Sequence, residues 1–183
     1  MILPIYLIGH PVLRQKAIEI DKNYQGLNEL IENMFETMYS ATGVGLAAPQ
    51  VGKAVRLYVI DANPMAEDFP ELKDFKRVFI NPKIIEGSDD MEAYEEGCLS
   101  IPGIHEYVNR YAELTMEYYD ENFVFHSEHF IGFQAIVIQH EYDHLGGVLF
   151  TDKIALLRRR LLKGKLNAIA KGKVETSYKT VIG

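Results

Sequence analysis

The sequence predicts an α+β fold, because apolar residues follow a helical spacing in some segments and a strand-like alternation in others. Residues 25–41 and 132–145 have apolar side chains three and four positions apart, which is typical of a helix with one buried face. In residues 113–119, Leu114, Met116 and Tyr118 alternate with polar neighbours, as in a half-buried strand. At 183 residues the chain is long enough for a single domain, 1–183, with a sizeable core.

The first half of the chain predicts an N-terminal helix and two strands. The apolar residues 1–8 include Pro4 and no basic side chain, so they predict a strand or packed arm rather than a signal peptide. Gly43 is well placed to end the helix over 25–41. Strand composition occurs at 55–61 and 77–80, and surface loops are expected at 62–76 and 86–92.

The second half predicts two helices. The first spans 132–145 and should end at Gly146-Gly147. The last covers about 153–171, with Leu157, Leu161 and Ile169 among its apolar positions. It belongs to a basic C-terminal segment, 153–173, which is followed by a tail, 174–183.

The charge is unevenly distributed. The net charge is −7, yet residues 153–173 contain eight Lys or Arg and no acidic residue. Residues 1–152 contain 25 Asp or Glu and only ten Lys or Arg. A basic segment on an acidic body indicates a partner of its own, and a solvated helix face is the alternative interpretation.

Other bulk features favour a cytoplasmic protein that does not enter the membrane. Cys98 is the only cysteine, which excludes an intrachain disulfide. No apolar run approaches the roughly 18 residues that a membrane span needs. With no export signal, a reducing compartment is expected.

The run His140-Glu141-Tyr142-Asp143-His144 carries the strongest chemical signal. On a helix, the two histidines lie on one face and can bind one metal ion, with Glu141 beside any bound water. The same face carries Phe133, Ile136 and Val137, which would form an apolar wall. These are the parts of a metal-assisted hydrolase.

Two further segments narrow the prediction. In Glu96-Gly97-Cys98-Leu99-Ser100, Cys98 can supply a thiolate as the third ligand and leave one position for water. In Gly43-Val44-Gly45-Leu46-Ala47-Ala48-Pro49-Gln50, the neutral amide of Gln50 can donate to a developing oxyanion without competing as an anionic ligand.

Together these three segments resemble the signatures of the peptide deformylase family. They occur unbroken and in the family's order, and Gly9-His10-Pro11-Val12-Leu13-Arg14 is also similar to its N-terminal region. The resemblance covers most of 1–150. It implies antiparallel β-sheets packed around a central metal-binding helix, with N-terminal and C-terminal helices.

The resemblance also implies a reaction and a site. Cys98, His140 and His144 would bind one divalent metal ion, with Fe(II) expected and Zn, Ni or Co able to substitute. Glu141 would be the general base, and Gln50 and the N–H of Leu99 would stabilise the oxyanion. Formate would be removed from the N-terminal formylmethionine of nascent chains. The remaining predicted site residues keep backbone near the substrate or line its methionine pocket: Gly43, Val44, Gly45, Glu96, Phe133, Ile136 and Val137.

Two other functions remain as alternatives at this point. A general metallopeptidase shares the His-Glu-x-x-His motif, but its third ligand commonly lies downstream. A zinc-stabilised binding module would need a fourth protein ligand. No DNA contact is expected. The basic segment 153–173 predicts contact with ribosomal RNA near the site where formylated chains emerge.

Overall fold

The computed structural model describes residues 1–183 and confirms the α+β prediction. Three helices are present, α1 (Leu27–Ser40), α2 (Gly132–Leu145) and α3 (Leu156–Ala170). Nine strands accompany them: β1 (Ile5–Tyr6), β2 (Gly45–Ala47), β3 (Leu57–Asp61), β4 (Lys76–Gly87), β5 (Met91–Cys98), β6 (Ile101–Tyr111), β7 (Glu113–Tyr119), β8 (Phe125–Ile131) and β9 (Thr180–Val181). No helix combines the length and the apolar character that crossing a bilayer would require.

The strands form one large sheet and two small ones. The large sheet has the order β2-β3-β4-β7-β8, and all of its pairings are antiparallel. Strands β5 and β6 form a separate antiparallel hairpin. Strands β1 and β9 pair in parallel, which departs from the antiparallel expectation and joins the two ends of the described chain.

Strand β3 shows how the large sheet is covered on both faces. Its residues alternate in direction, as expected for a strand. Tyr58 and Ile60 belong to an apolar cluster that includes Val137 and Ile138 of α2. Leu57 and Val59 belong to a second cluster, which contains the buried face of α1. The large sheet therefore lies between α1 and α2, and the apolar residues of α2 pack against one face of the sheet.

The β5–β6 hairpin builds a third apolar cluster with the C-terminal part of the chain. Ile104 and Val108 of β6 pack with Phe150 and with Leu162 and Ile169 of α3. Leu162 and Ile169 are the only buried residues of α3, whereas Leu157 and Leu161 are exposed. Of the three apolar positions named for the predicted helix, only Ile169 is thus part of the core.

Several predicted boundaries also need correction. Residues 62–76 are not a simple surface loop. They contain two short 3₁₀ helices, Asn63–Met65 and Pro70–Leu72, and the side chains of Leu72 and Phe75 are buried. Most of 86–92 is strand, since β4 ends at Gly87 and β5 begins at Met91. Strands β2, β5, β6, β8 and β9 were not predicted. The residue with left-handed backbone after α1 is Thr42, with φ of 56°, rather than Gly43.

Candidate active site

Helix α2 places the two motif histidines side by side. The ring centroids of His140 and His144 are 5.2 Å apart. Cys98, the last residue of β5, approaches them from the hairpin, and its Sγ lies 3.5 Å from Nε2 of His144. One donor atom from each of the three residues lies within 4.8 Å of the others. The structure thus brings Cys98, from a distant part of the sequence, next to the two histidines of α2.

Glu96 fixes the orientation of the His140 ring. Nδ1 of His140 lies 2.8 Å from Oε2 of Glu96, which leaves Nε2 as the ring atom for the cluster. Burial opposes ionisation of Glu96, but hydrogen bonds from Arg110 and His140 outweigh it and lower its pKa to about 2. Glu96 lines the cavity, but its two oxygens are already engaged by Arg110 and His140.

Glu141 lies in the same helix and is 4% exposed. Burial raises the pKa of its carboxyl group to about 7. Its Oε2 is buried without a hydrogen-bond partner. A set of one sulfur and two nitrogen donors with an unpartnered carboxylate oxygen beside it fits a site completed by a metal ion and a water molecule.

Gly45 makes room for the Glu141 carboxylate. A Cβ atom at position 45 would lie 2.5 Å from Oε1 and 2.9 Å from Cγ of Glu141. Any larger residue at position 45 would therefore displace this side chain. Gly43 has a comparable relation to Leu99, whose Cδ1 would lie 2.9 Å from an added Cβ.

The amide of Gln50 is held in one orientation. Its Oε1 accepts a hydrogen bond of 2.9 Å from the N–H of Ala47. Its Nε2 consequently faces the cluster, 3.4 Å from Sγ of Cys98 and 3.2 Å from Oγ of Ser100. Leu99 follows Cys98 in the turn between β5 and β6. Among the backbone hydrogen bonds of turns and loops, none has the N–H of Leu99 as its donor. The Gln50 amide and the N–H of Leu99 are thus two neutral donors close to the cluster.

A cavity of about 440 Å³ opens beside the cluster. All of the predicted site residues except His144, which is 1% exposed, line it. Phe133 forms an aromatic wall with two residues that were not predicted, stacking on Phe69 at 4.3 Å and meeting Tyr94 edge-on at 5.3 Å. Met65, from the segment predicted as a surface loop, also lines the cavity.

Arg110 is a further residue that the sequence reasoning missed. It donates two hydrogen bonds to Glu96 and one of 2.8 Å to Asp143. Lys153 lies 3.1 Å from the same Asp143 oxygen. Although fully ionised, the Arg110 side chain is only 1% exposed. The available signal was the alternation in β6, where Ile104, Val108 and Arg110 all point inward.

The C-terminal segment also reaches the site, although it was predicted only as a tail. Tyr178 lines the cavity, and its hydroxyl donates a 2.8 Å hydrogen bond to the carbonyl of Leu99. Burial, and then the nearby Cys98, raises the pKa of Tyr178 to about 12, so the hydroxyl keeps its proton at neutral pH. Nothing local in the sequence of 174–183 indicates this contact.

The fold and the cluster together are those of a metal-dependent hydrolase. Comparison with known proteins narrows this class. A sequence model of polypeptide deformylase matches residues 2–160. The chain belongs to the polypeptide deformylase family, which confirms the resemblance that its motifs indicate.

Relatives and solved structures agree with this assignment. A peptide deformylase from Christiangramia forsetii is 53% identical over 98% of this chain and 95% of its own length. One from Flavobacterium psychrophilum is 50% identical over 98% of this chain and 96% of its own. The crystal structure of a peptide deformylase from Legionella pneumophila superposes with a TM-score of 0.82 at 35% identity, covering 94% of this chain and 98% of that one.

Proposed function

We propose that this protein hydrolyses the formyl group from the N-terminal formylmethionine of newly made polypeptides through a site centred on Glu141. Membership of the family makes it a hydrolase of N-formyl groups. The observation that carries the assignment of the site is the buried, unpartnered oxygen of Glu141 beside the cluster of Cys98, His140 and His144.

Cys98, His140 and His144 are the proposed ligands of one divalent metal ion, and α2 is then a metal-binding helix. Such an ion would polarise the formyl carbonyl and make a water molecule more acidic. Thiolate and imidazole donors suit several ions. Fe(II) is the proposed native ion, with Zn, Ni or Co as substitutes. Metal analysis of protein purified without oxygen tests this, and stoichiometric zinc with full activity would contradict it.

Glu141 is the proposed general base and acid. It takes a proton from the attacking water and then delivers it to the nitrogen of the departing peptide. Its raised pKa is suited to both steps near neutral pH. Formate and a free α-amino group are the products.

Two donors are proposed to stabilise the oxyanion that forms on the substrate. The Nε2 of Gln50 is preoriented by Ala47, so little reorganisation is needed when charge develops. The N–H of Leu99 supplies the second donor. Removal of one such donor typically slows a reaction by about 100- to 1,000-fold.

The methionine side chain is proposed to occupy the apolar part of the cavity. Val44, Phe133, Ile136 and Val137 line it, and the stacked ring of Phe69 supports Phe133 from behind. Strand β2 is an end strand of its sheet, so its outer edge near Gly43 and Gly45 is proposed to pair with an extended peptide. Glu96 is proposed to orient His140 rather than to contact substrate.

A comparison of three peptides tests the function. Formyl-Met, acetyl-Met and unblocked Met peptides of otherwise identical sequence would be offered to anaerobically prepared protein. We expect formate release from the first only. Cleavage of internal peptide bonds would instead support a general metallopeptidase. Full metal binding without any hydrolysis would support a binding module.

The basic segment supports a second proposal, that the single domain 1–183 works in the cytoplasm and touches the ribosome through 153–173. Helix α3 exposes Arg159, Arg160 and Lys163, which can neutralise RNA phosphates. Co-sedimentation with ribosomes should weaken steeply as salt rises, and should weaken further when these three residues become Gln. Equal binding by the triple variant, or none at low salt, would refute the contact.

A further inference from the structure

The last residues of the chain return to the candidate site by pairing with the first. After α3, Gly172 has a φ of 70° and the chain reverses. Strand β9 then pairs with β1, where the N–H of Ile5 donates to Lys179 O and the N–H of Leu7 to Val181 O, both at 2.8 Å. The segment that follows α3, including β9, lies outside residues 2–160, which the family model matches.

The two paired arms hold neighbouring carbonyl groups of one turn. This turn, Leu99 and Ser100, joins Cys98 at the end of β5 to Ile101 at the start of β6. From the N-terminal arm, the N–H of Ile8 donates to the carbonyl of Ser100 at 2.9 Å. From the C-terminal arm, the hydroxyl of Tyr178 donates to the carbonyl of Leu99 at 2.8 Å.

A hydrogen bond to the Leu99 carbonyl restricts the backbone of Leu99, whose N–H is proposed to stabilise the oxyanion. The bond restricts the peptide plane between Leu99 and Ser100, and therefore ψ of Leu99. The N–H of Leu99 lies in the preceding peptide plane, which shares the Cα of Leu99 and is held on its other side by Cys98 at the end of β5. The Tyr178 side chain is half-buried, which limits competition by water for this bond. Its ring also lines the cavity, so the contact lies at the site itself.

We propose that Tyr178 is a positioning residue, which holds the Leu99–Ser100 turn so that the N–H of Leu99 stays directed at the substrate oxyanion. This inference rests on the proposed function. Because the oxyanion exists only in the transition state and the intermediate, a misplaced donor lowers kcat more than it changes KM. A substrate-contacting role would instead raise KM.

Tyr178→Phe tests the bond while keeping the ring. The matched control is Tyr39→Phe, which removes a hydroxyl that donates to Asp61 at 2.6 Å and does not line the cavity. We expect kcat on a formyl-Met peptide to fall roughly three- to tenfold in Tyr178→Phe, as loss of one hydrogen bond predicts, with KM unchanged. Hydrogen exchange of the backbone amide of Ile8, which donates to the Ser100 carbonyl of this turn, should also become faster. The control should change neither.

The outcomes separate this inference from the function on which it rests. A kcat within twofold of the parent, an equal fall in Tyr39→Phe, or a rise in KM at constant kcat would overturn it. If the parent protein releases no formate, the proposed function fails. The exchange data then decide the positioning role alone, which equal exchange in both proteins would overturn. Thermal unfolding of both variants shows whether any loss is merely structural.

Discussion

Helices α2 and α3 have nearly the same length but take opposite places in the fold. Eight of the 14 residues of α2 are buried, whereas only Leu162 and Ile169 are buried among the 15 residues of α3. Each helix lies beside an arginine–glutamate ion pair. Near α2, Arg110 and Glu96 have side chains that are 1% and 6% exposed. In α3, the side chain of Arg158 is 55% exposed and donates to Glu106 of β6, whose side chain is 10% exposed.

This difference teaches that the same chemistry has different energetic weight in the two regions. A charge removed from water must be paired, and loss of its partner leaves a large penalty. An exposed pair is screened by solvent and contributes little. Substitutions around α2 should therefore change catalysis or folding strongly, whereas those in α3 should leave both nearly intact.

The largest effect is expected for Glu141→Ala. Loss of the general base should lower kcat by about 100- to 10,000-fold, because proton transfer then depends on water alone. Metal content should remain, since Glu141 is not one of the three clustered donors. Formate release and metal analysis of the same sample check both parts. Lys163→Ala in α3 should keep full activity, and turnover retained in Glu141→Ala would refute the general-base role.

A second large effect is expected when Arg110 becomes Met. Glu96 would lose its ion pair while remaining buried, so the free energy of unfolding should fall by roughly 3–5 kcal/mol. Arg158→Met is the matched control and should cause a smaller loss, because the Arg158 side chain is 55% exposed and solvent screens its charge. Urea unfolding of both variants at equal metal content measures the difference. Similar losses would mean that burial does not separate the two pairs.

Gly45→Ala should follow with a loss of activity at nearly normal stability. The added Cβ would lie 2.5 Å from Oε1 of Glu141, so the carboxylate must move. A displacement of about 1 Å in a catalytic group can cost on the order of 100-fold in rate. Steady-state kinetics with formyl-Met peptide measure the loss. Parent-like kcat would show that Glu141 tolerates the shift.

The smallest effect is expected for Gly164→Ala, the matched glycine substitution in α3. A Cβ at this position meets no atom within 4 Å. In a helix interior, this change should stabilise the protein by about 0.5–1 kcal/mol. Thermal unfolding measures the gain, and kcat should equal that of the parent. A fall in kcat here would connect α3 to the active site and weaken the contrast between the helices.

Local patterns predicted the elements whose neighbours enforce a clear periodicity. The prediction of α2 over 132–145 matches the structure, as does that of β7 over 113–119. The hairpin of β5 and β6 was missed because β5 is mostly exposed and carries little apolar alternation. The many charged residues of 62–76 predict a surface loop. The burial of Leu72 and Phe75 depends on tertiary contacts, which this local composition does not reveal.

The candidate site shows the same division. The motifs predicted the cluster around His140 and the residues of its cavity, partly from the spacing on one helix face and partly through their resemblance to a known family. The partners that hold these groups in place, Arg110 and Tyr178, come from distant strands and carry no motif. Only the pairing of β6 with β5, and of β9 with β1, places them near the cluster.

The parallel pair of β1 and β9 has a consequence for how the protein folds. It joins Ile5 to Thr180, so almost the whole chain must be closed into one loop before the pair can form. Contacts of such high sequence separation carry a large entropic cost and tend to form late. During refolding, the aromatic side chains of the core should therefore be buried before enzymatic activity is fully regained. The Leu99–Ser100 turn should be the last part of the site to become ordered.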